Sequence, residues 1–359
     1  MIFLLHLLIP FFTALGIAPF VISLYKKNKW LDDPTTYAHP KVLHTTPLPR
    51  GGGIVIFAAV ALGILLFAPH TQEIYGILIG AFILLLLGIW DDIKNPPPLA
   101  RLGVQLVAAI CAVLGGIGIS YVTNPFGGII HFDAFSYGFS VGNLHIVTQP
   151  LVWGLAILWI VWCMNSINFS TGLDGQMPGF VAIAALTIAV LTTRFIDDPT
   201  QGVVYTLSLI VAGSYLGFLY WNMYPQKMMS GFGASTLAGF FLAILAILSG
   251  TKLATAILVL AVPMADAVFV VLKRIQQKKS PFQGDRSHLH HALLDAGMTK
   301  KQVAFFYWAS AAALGMISLS LSSGQKVFAI LLVGVVVCMI AIWLRLFFTQ
   351  FGKSGRGNG

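Results

Sequence analysis

Four polar clusters in this chain have the residue types and spacing to do chemistry. The tightest is Gly88-Ile89-Trp90-Asp91-Asp92-Ile93-Lys94, where two adjacent carboxylates repel each other unless a cation or hydrogen-bond donors hold them. At the edge of an apolar run, Asp91 and Asp92 point to a divalent metal, with solvation at a helix terminus as the plainer alternative. That plainer reading covers Asp32-Asp33 and Asp197-Asp198, which receive no metal role. The second cluster, Asn165-Ser166-Ile167-Asn168-Phe169-Ser170-Thr171-Gly172-Leu173-Asp174-Gly175-Gln176, interrupts an apolar pattern. Its amides and hydroxyls suit backbone groups freed where a helix stops, whereas Asp174, flanked by Gly172 and Gly175, reads as a site carboxylate. In the third, Asp285-Arg286-Ser287-His288-Leu289-His290-His291, three histidines within four residues resemble a metal cluster, yet no further ligand stands at zinc spacing. Among the basic residues between Lys273 and Lys301, phosphate binding is at least as good a use for them. The fourth holds Asp32-Asp33-Pro34, His39-Pro40-Lys41, His44 and Pro47-Leu48-Pro49-Arg50-Gly51-Gly52-Gly53. It reads as a basic loop beside a membrane, or as a glycine run whose amides approach a phosphate next to Arg50.

The elements that carry these clusters are membrane helices. Of 359 residues, 57% are hydrophobic and only 9% charged, against about a quarter charged in soluble domains. That excludes a water-soluble fold. A span needs about 20 mostly apolar residues, and the chain divides into eleven candidates. These are 1–25, 51–69, 73–91, 102–122, 148–167, 176–193, 201–221, 232–250, 253–273, 303–322 and 326–346. The predicted fold is therefore all-α and polytopic, with about eleven transmembrane helices. The first run has no basic residue before it and Lys26, Lys27 and Lys29 after it, so it reads as a retained helix with its N-terminus outside. Threading the loops alternately from there places eighteen of the 21 basic residues inside and leaves only Arg194, Lys252 and Lys326 outside. This is the positive-inside bias, and it puts the C-terminus and all four clusters on the cytoplasmic face. The net charge of +9 is thus topological and does not call for nucleic acid.

Residues 1–351 form a single membrane domain, followed by a flexible tail, 352–359; no repeat or low-complexity tract is evident. Between Thr123 and Gln149, the turn formers Pro125, Gly127 and Gly128 and the alternating run Ile129 to Phe132 predict a short hairpin on the outer surface. Cys111, Cys163 and Cys338 lie unpaired within apolar runs and are packing residues. Asp266, after Pro263 in the ninth span, is the one acid near mid-membrane depth and is expected to face a partner helix or the inner site.

Taken in order, the clusters resemble the polyprenyl-phosphate N-acetylhexosamine-1-phosphate transferases, and in span count the branch acting on undecaprenyl phosphate with UDP-N-acetylglucosamine. The motifs that carry the resemblance are Pro49-Arg50-Gly51-Gly52, Gly88 with Asp91-Asp92, Asn165 and Asn168 leading to Asp174-Gly175, and Asp285-Arg286 with His288, His290 and His291. The resemblance implies transfer of a sugar 1-phosphate from a UDP-sugar to a membrane-bound polyprenyl phosphate, with release of UMP, at the cytoplasmic face of a bacterial inner membrane. It implies magnesium, or manganese in its place, held by Asp91 and Asp92, with Asp174 completing the acidic site. Lys41, Arg50, Lys94, Asn168, Arg286, His288, His290 and His291 would contact substrate. Family precedent extends to a homodimer, and the lipid itself is a partner. Two positions depart from the family pattern: Thr171 and Phe232 stand where family aspartates are common. An impaired member that binds UDP-sugar or prenyl phosphate without turnover is therefore an alternative reading, and a transporter or lipid flippase a further one.

Overall fold

The structure, a computed structural model, describes residues 2–35, 45–124, 126–141, 144–195, 197–250, 253–280 and 287–351. The predicted tail and the segments that carry Lys41 and Arg286 lie outside the described residues. The helices are α1 (Ile2–Lys27), α2 (Gly52–Phe67), α3 (Gln72–Lys94), α4 (Pro98–Leu114), α5 (Pro150–Phe169), α6 (Gln176–Thr192) and α7 (Pro199–Asn222). They continue with α8 (Gly231–Leu248), α9 (Leu253–Val259), α10 (Ala261–Gln276), α11 (Leu289–Asp295), α12 (Lys300–Ser320) and α13 (Ser323–Phe351). Seven of them, α1, α3, α5, α6, α7, α8 and α12, are long and apolar enough to cross a membrane. The pair α9 and α10 makes an eighth if taken as one span, while α2, α4 and Gly324–Ile340 of α13 are shorter apolar helices.

The predicted ninth span is not one straight helix. It bends by 77° between α9 and α10. A proline ring clashes with the carbonyl four residues before it. For Pro263 that residue is Val259, the last of α9. The helical bonds on either side, Leu260 N–H to Ala256 O and Met264 N–H to Leu260 O, are both intact at 3.0 Å, so the chain turns sharply while few backbone groups are lost.

Helix α8 is the hub, with every residue from Phe232 to Ile247 buried, and it packs on α5, α3 and α2. Helix α1 lies along α7, α7 along α6, and α6 along α12. Because hydrocarbon surroundings are as apolar as leucine, contact in such a bundle comes from close fit. A Cβ on Gly88 of α3 would stand 2.6 Å from the Gly233 Cα of α8, so only glycine lets these two helices cross where they do. The outer helices turn Leu62, Leu65, Phe82, Leu86, Leu158 and Leu331 outward, as expected of surfaces that meet lipid.

Three two-stranded antiparallel ribbons complete the described chain. The first pairs β1 (Leu31–Asp32) with β2 (Leu48–Pro49) beside the ends of α1 and α2. The predicted hairpin is present as β3 (Tyr121–Thr123) against β4 (Ile129–His131), in the register Val122 to Ile130. A second hairpin follows it, β5 (Tyr137–Val141) with β6 (Leu144–Thr148). Asp198, read above as a solvated acid, caps α7: its Oδ1 accepts from the Thr200 N–H at 2.9 Å, with Pro199 in the first helical position.

Candidate active site

Asp91 and Asp92 end α3, and each is held by a different helix. Asp91 Oδ1 faces Arg101 Nε of α4 at 2.7 Å, with the Asp91 side chain only 6% exposed. Arg101 also donates to Asn95 Oδ1, and its guanidinium lies 5.1 Å from the Phe232 ring centroid at the start of α8. Asp92 Oδ2 accepts from the Tyr25 hydroxyl at the end of α1, at 2.9 Å. The other Asp92 oxygen, Oδ1, is buried without a hydrogen-bond partner among the described residues. The α3–α4 turn explains the placing of Arg101. Asn95 ends α3 in the left-handed region at φ 47°, and the prolines that follow start α4 at Pro98, so Arg101 is brought back over Asp91. Gly231 has φ +63°, and a Cβ there would approach Asp92 Oδ1 to 3.0 Å and collide with the Arg50 carbonyl. Glycine is needed both for the turn into α8 and for the space beside the carboxylate.

Arg50 is positioned by the β1–β2 ribbon, which lays Asp32 against Leu48. Its Nη2 and Nε both reach Asp32 Oδ2, at 2.9 and 3.1 Å. Asp32 is thus a structural anchor for a site arginine, a role its position beside Asp33 did not reveal. Gly51, Gly52 and Gly53 are buried at the start of α2, where added Cβ atoms would meet Tyr25, the Ser230 carbonyl and Gly233. They serve helix approach.

Asn168, in the last turn of α5, accepts from the Ser235 hydroxyl of α8 at 2.8 Å. Other members of its cluster satisfy the end of α5: the Asn165 amide donates to the Val161 carbonyl, and the Thr171 hydroxyl to the Ile167 carbonyl. Arg50, Asp91, Arg101, Asn168, Thr171, Gly172, Gly231 and Phe232 line one cavity of about 310 Å³. Asp174 lines a second cavity, of about 610 Å³, with Tyr224, Gln226, Thr299, Lys300 and Lys301. Gln226 belongs to both. Asp174 Oδ1 is 3.7 Å from Lys300 Nζ, and Oδ2 accepts from the Gln226 N–H at 3.4 Å. The Lys300 and Lys301 ammonium groups lie 5.8 and 5.3 Å from the Tyr224 ring centroid. Lys94 is exposed on the last turn of α3 and lines neither cavity.

His288, His290 and His291 are all buried around the short helix α11. His288 and His290 stack nearly parallel, and a Cβ on Gly172 would fall on His290 Nε2, so the histidines abut the segment between Asn168 and Asp174. Asp266 does reach the inner site: its Oδ2 meets His288 Nδ1 at 2.9 Å. Arg101, Tyr25, Asp32 and Lys300 are the residues that sequence reasoning missed. Arg101 alone had a signal, a basic residue just beyond a proline turn from a pair of acids.

Among the described residues no three His, Cys, Asp or Glu side chains are grouped to hold a metal by themselves. Magnesium is commonly held by one or two carboxylates together with substrate phosphates and water, and that donor set fits here. Asp91 and Asp92 are adjacent, and the buried Asp92 Oδ1 lacks a donor.

The family model for glycosyl transferase family 4 matches residues 74–250, a stretch that includes Asp91, Asp92, Asn168, Asp174 and Phe232. The chain is 31% identical over 301 residues to a probable undecaprenyl-phosphate N-acetylglucosaminyl 1-phosphate transferase of Bacillus subtilis, covering 82% of this chain and 78% of the relative. It is 26% identical over 344 residues to the decaprenyl-phosphate N-acetylglucosaminephosphotransferase of Mycobacterium leprae, covering 86% and 83%. Identity to the undecaprenyl-phosphate alpha-N-acetylglucosaminyl 1-phosphate transferase of Escherichia coli K12 is 27% over 285 residues, covering 76% and 71%.

Proposed function

We propose, since the chain belongs to glycosyl transferase family 4, that it transfers N-acetylglucosamine 1-phosphate from a UDP-sugar to a polyprenyl phosphate and releases UMP. The observation that carries this reading is the 310 Å³ cavity at the ends of α3, α5 and α8, which gathers Arg50, Arg101, Asn168 and Asp91 at the border of the apolar helices. An anionic lipid headgroup enters such a place from the membrane side and a nucleotide sugar from the aqueous side. An oxygen of the lipid phosphate attacks the sugar-bearing phosphorus of the donor. A new phosphorus–oxygen bond forms, the bond to the bridging oxygen breaks, and UMP leaves with the electron pair. Both reactants are anions, so the first requirement is to offset repulsion and stabilise charge on the transferring group.

Arg50, fixed by Asp32, and Arg101, fixed by Asp91, present cations whose positions are set before substrate arrives. Asn168 orients oxygens at the cavity wall. The adjoining 610 Å³ cavity suits the nucleoside and sugar, with Tyr224 as an aromatic wall and Lys300 and Lys301 beside it. Asp91 and Asp92 would hold magnesium, which would supply Lewis-acid stabilisation of charge on the phosphates. His290 backs the cavity at Gly172, with His288 and His291 beside it. The membrane face served is the cytoplasmic one, where eighteen of the 21 basic residues collect under the eleven-span threading.

The test is UMP release by the purified full chain in detergent, with polyprenyl phosphate, magnesium and a panel of UDP-sugars, beside an Asp91→Asn control. Release that requires both lipid and metal and is lost in the control supports the reading. UDP-sugar binding with no release under any donor would sink it.

A further inference from the structure

An acid, Asp266, stands behind His288 and has no part in the transfer described. Asp266 is fully buried on α10, three residues after Pro263 at the bend. A lone acid at such depth is costly, and this one has both oxygens engaged. Oδ1 accepts the Leu289 N–H at 2.8 Å, and Oδ2 meets His288 Nδ1 at 2.9 Å. The first contact is a helix cap supplied from another element. Leu289 is the first residue of α11, a seven-residue helix whose own N-cap residue, His288, makes no side-chain cap bond. The second contact selects a tautomer. With the carboxylate as acceptor, the ring proton resides on Nδ1 and the ring plane is locked. His288 Nε2 makes no hydrogen bond among the described residues. The ring itself lies 5.6 Å from Phe169, next to Asn168, and stacks at 2° on His290.

We infer that Asp266 is a positioning residue for this reaction, holding His288 with its proton on Nδ1 so that Nε2 alone exchanges a proton with substrate phosphate. This rests on the transferase reading for its catalytic consequence. In the step, a protonated phosphate oxygen gives its proton to Nε2, leaving an anionic oxygen and an imidazolium that Asp266 stabilises; the reverse transfer restores the ring. The bend in the ninth span is what carries Asp266 to the first turn of α11, so a membrane-depth acid becomes part of the inner site.

The experiment uses the full chain, 15N-labelled at histidine, in detergent, with His288→Gln to assign the ring signals. The wild-type protein is expected to show Nδ1 protonated. In Asp266→Asn, the amide oxygen keeps the Leu289 bond and the amide nitrogen faces His288, which moves the ring proton to Nε2. That variant is expected to lower kcat on the order of a hundredfold, with the Kd for UDP-sugar changed by less than about threefold, and Asp266→Glu to recover part of the loss. A wild-type ring protonated on Nε2 overturns the inference. So does an Asp266→Asn protein with undiminished kcat. Absence of UMP release from the wild-type chain would remove the transferase reading, and the tautomer measurement would still decide whether Asp266 positions His288.

Discussion

The carboxylate corner and the histidine corner of the site solve the same problem in opposite ways. Each must keep polar groups at the border of an apolar bundle. At the carboxylate corner, Asp91 and Asp92 are neighbours in sequence but take partners from α4 and α1, and one Asp92 oxygen is left without a donor. At the histidine corner, Asp266 is satisfied twice by the segment it positions. The first arrangement is charged and leaves a carboxylate oxygen unmet next to Asp91, which lines the cavity. The second engages both oxygens of Asp266 and gives order rather than charge. A carboxylate placed to bind, Asp92, retains an unmet oxygen, whereas one placed to position, Asp266, has both oxygens engaged.

The comparison breaks most visibly at Asp91. Asp91→Asn should lower UMP release on the order of 10²–10³-fold while the detergent-solubilised protein keeps its fold by circular dichroism. Next in size is Arg101→Ala, which strands a nearly buried carboxylate. Thermal unfolding in detergent should show a loss of about 3 kcal/mol, and Arg101→Lys should recover part of it. At the other corner, Gly172→Ala puts a methyl group onto His290. Its expected cost is about 1–3 kcal/mol, with the histidine ring signals displaced and those of Asp91 partners unchanged. If both corners shifted together, they would not be independent units. Tyr25→Phe removes the hydroxyl that donates to Asp92 and should cost about 1–2 kcal/mol, read by the same unfolding assay. The smallest effect is expected of Phe232→Leu, which loses the ring beneath Arg101 for about 0.5–1 kcal/mol.

Much of the candidate site was legible before any coordinates. Asp91, Asp92, Asn168, Asp174 and the histidines stand out because ionisable and amide groups are rare and costly inside apolar runs. Thr171 and Phe232, noted as departures from the family pattern, both line the cavity with Asp91. What could not be read was pairing. Arg101 is ten residues from Asp91, and Tyr25 is 67 residues from Asp92. Such distances carry no local periodicity. Lys94, two residues after Asp92, was expected to contact substrate and lies exposed outside both cavities, whereas Arg101, not singled out, lines one of them. The glycine run after Arg50 was ambiguous for the same reason, since a glycine permits close approach without stating by what.

The helical membrane class and the approximate places of the spans follow from composition and run length, because a bilayer demands about 20 apolar residues in a row. The polar clusters follow from the energetic cost of placing them there. Three further features depend on packing between distant segments: the crossing of α3 and α8 at Gly88 and Gly233, the division of the site into two cavities that meet at Gln226, and the bend that carries Asp266 to His288. Pro263 announces that the ninth span is interrupted, but the direction of the turn is set by the helices against which α10 packs. Local rules act through neighbours three or four residues away, whereas a site drawn from eight helices is decided by which of their faces fit.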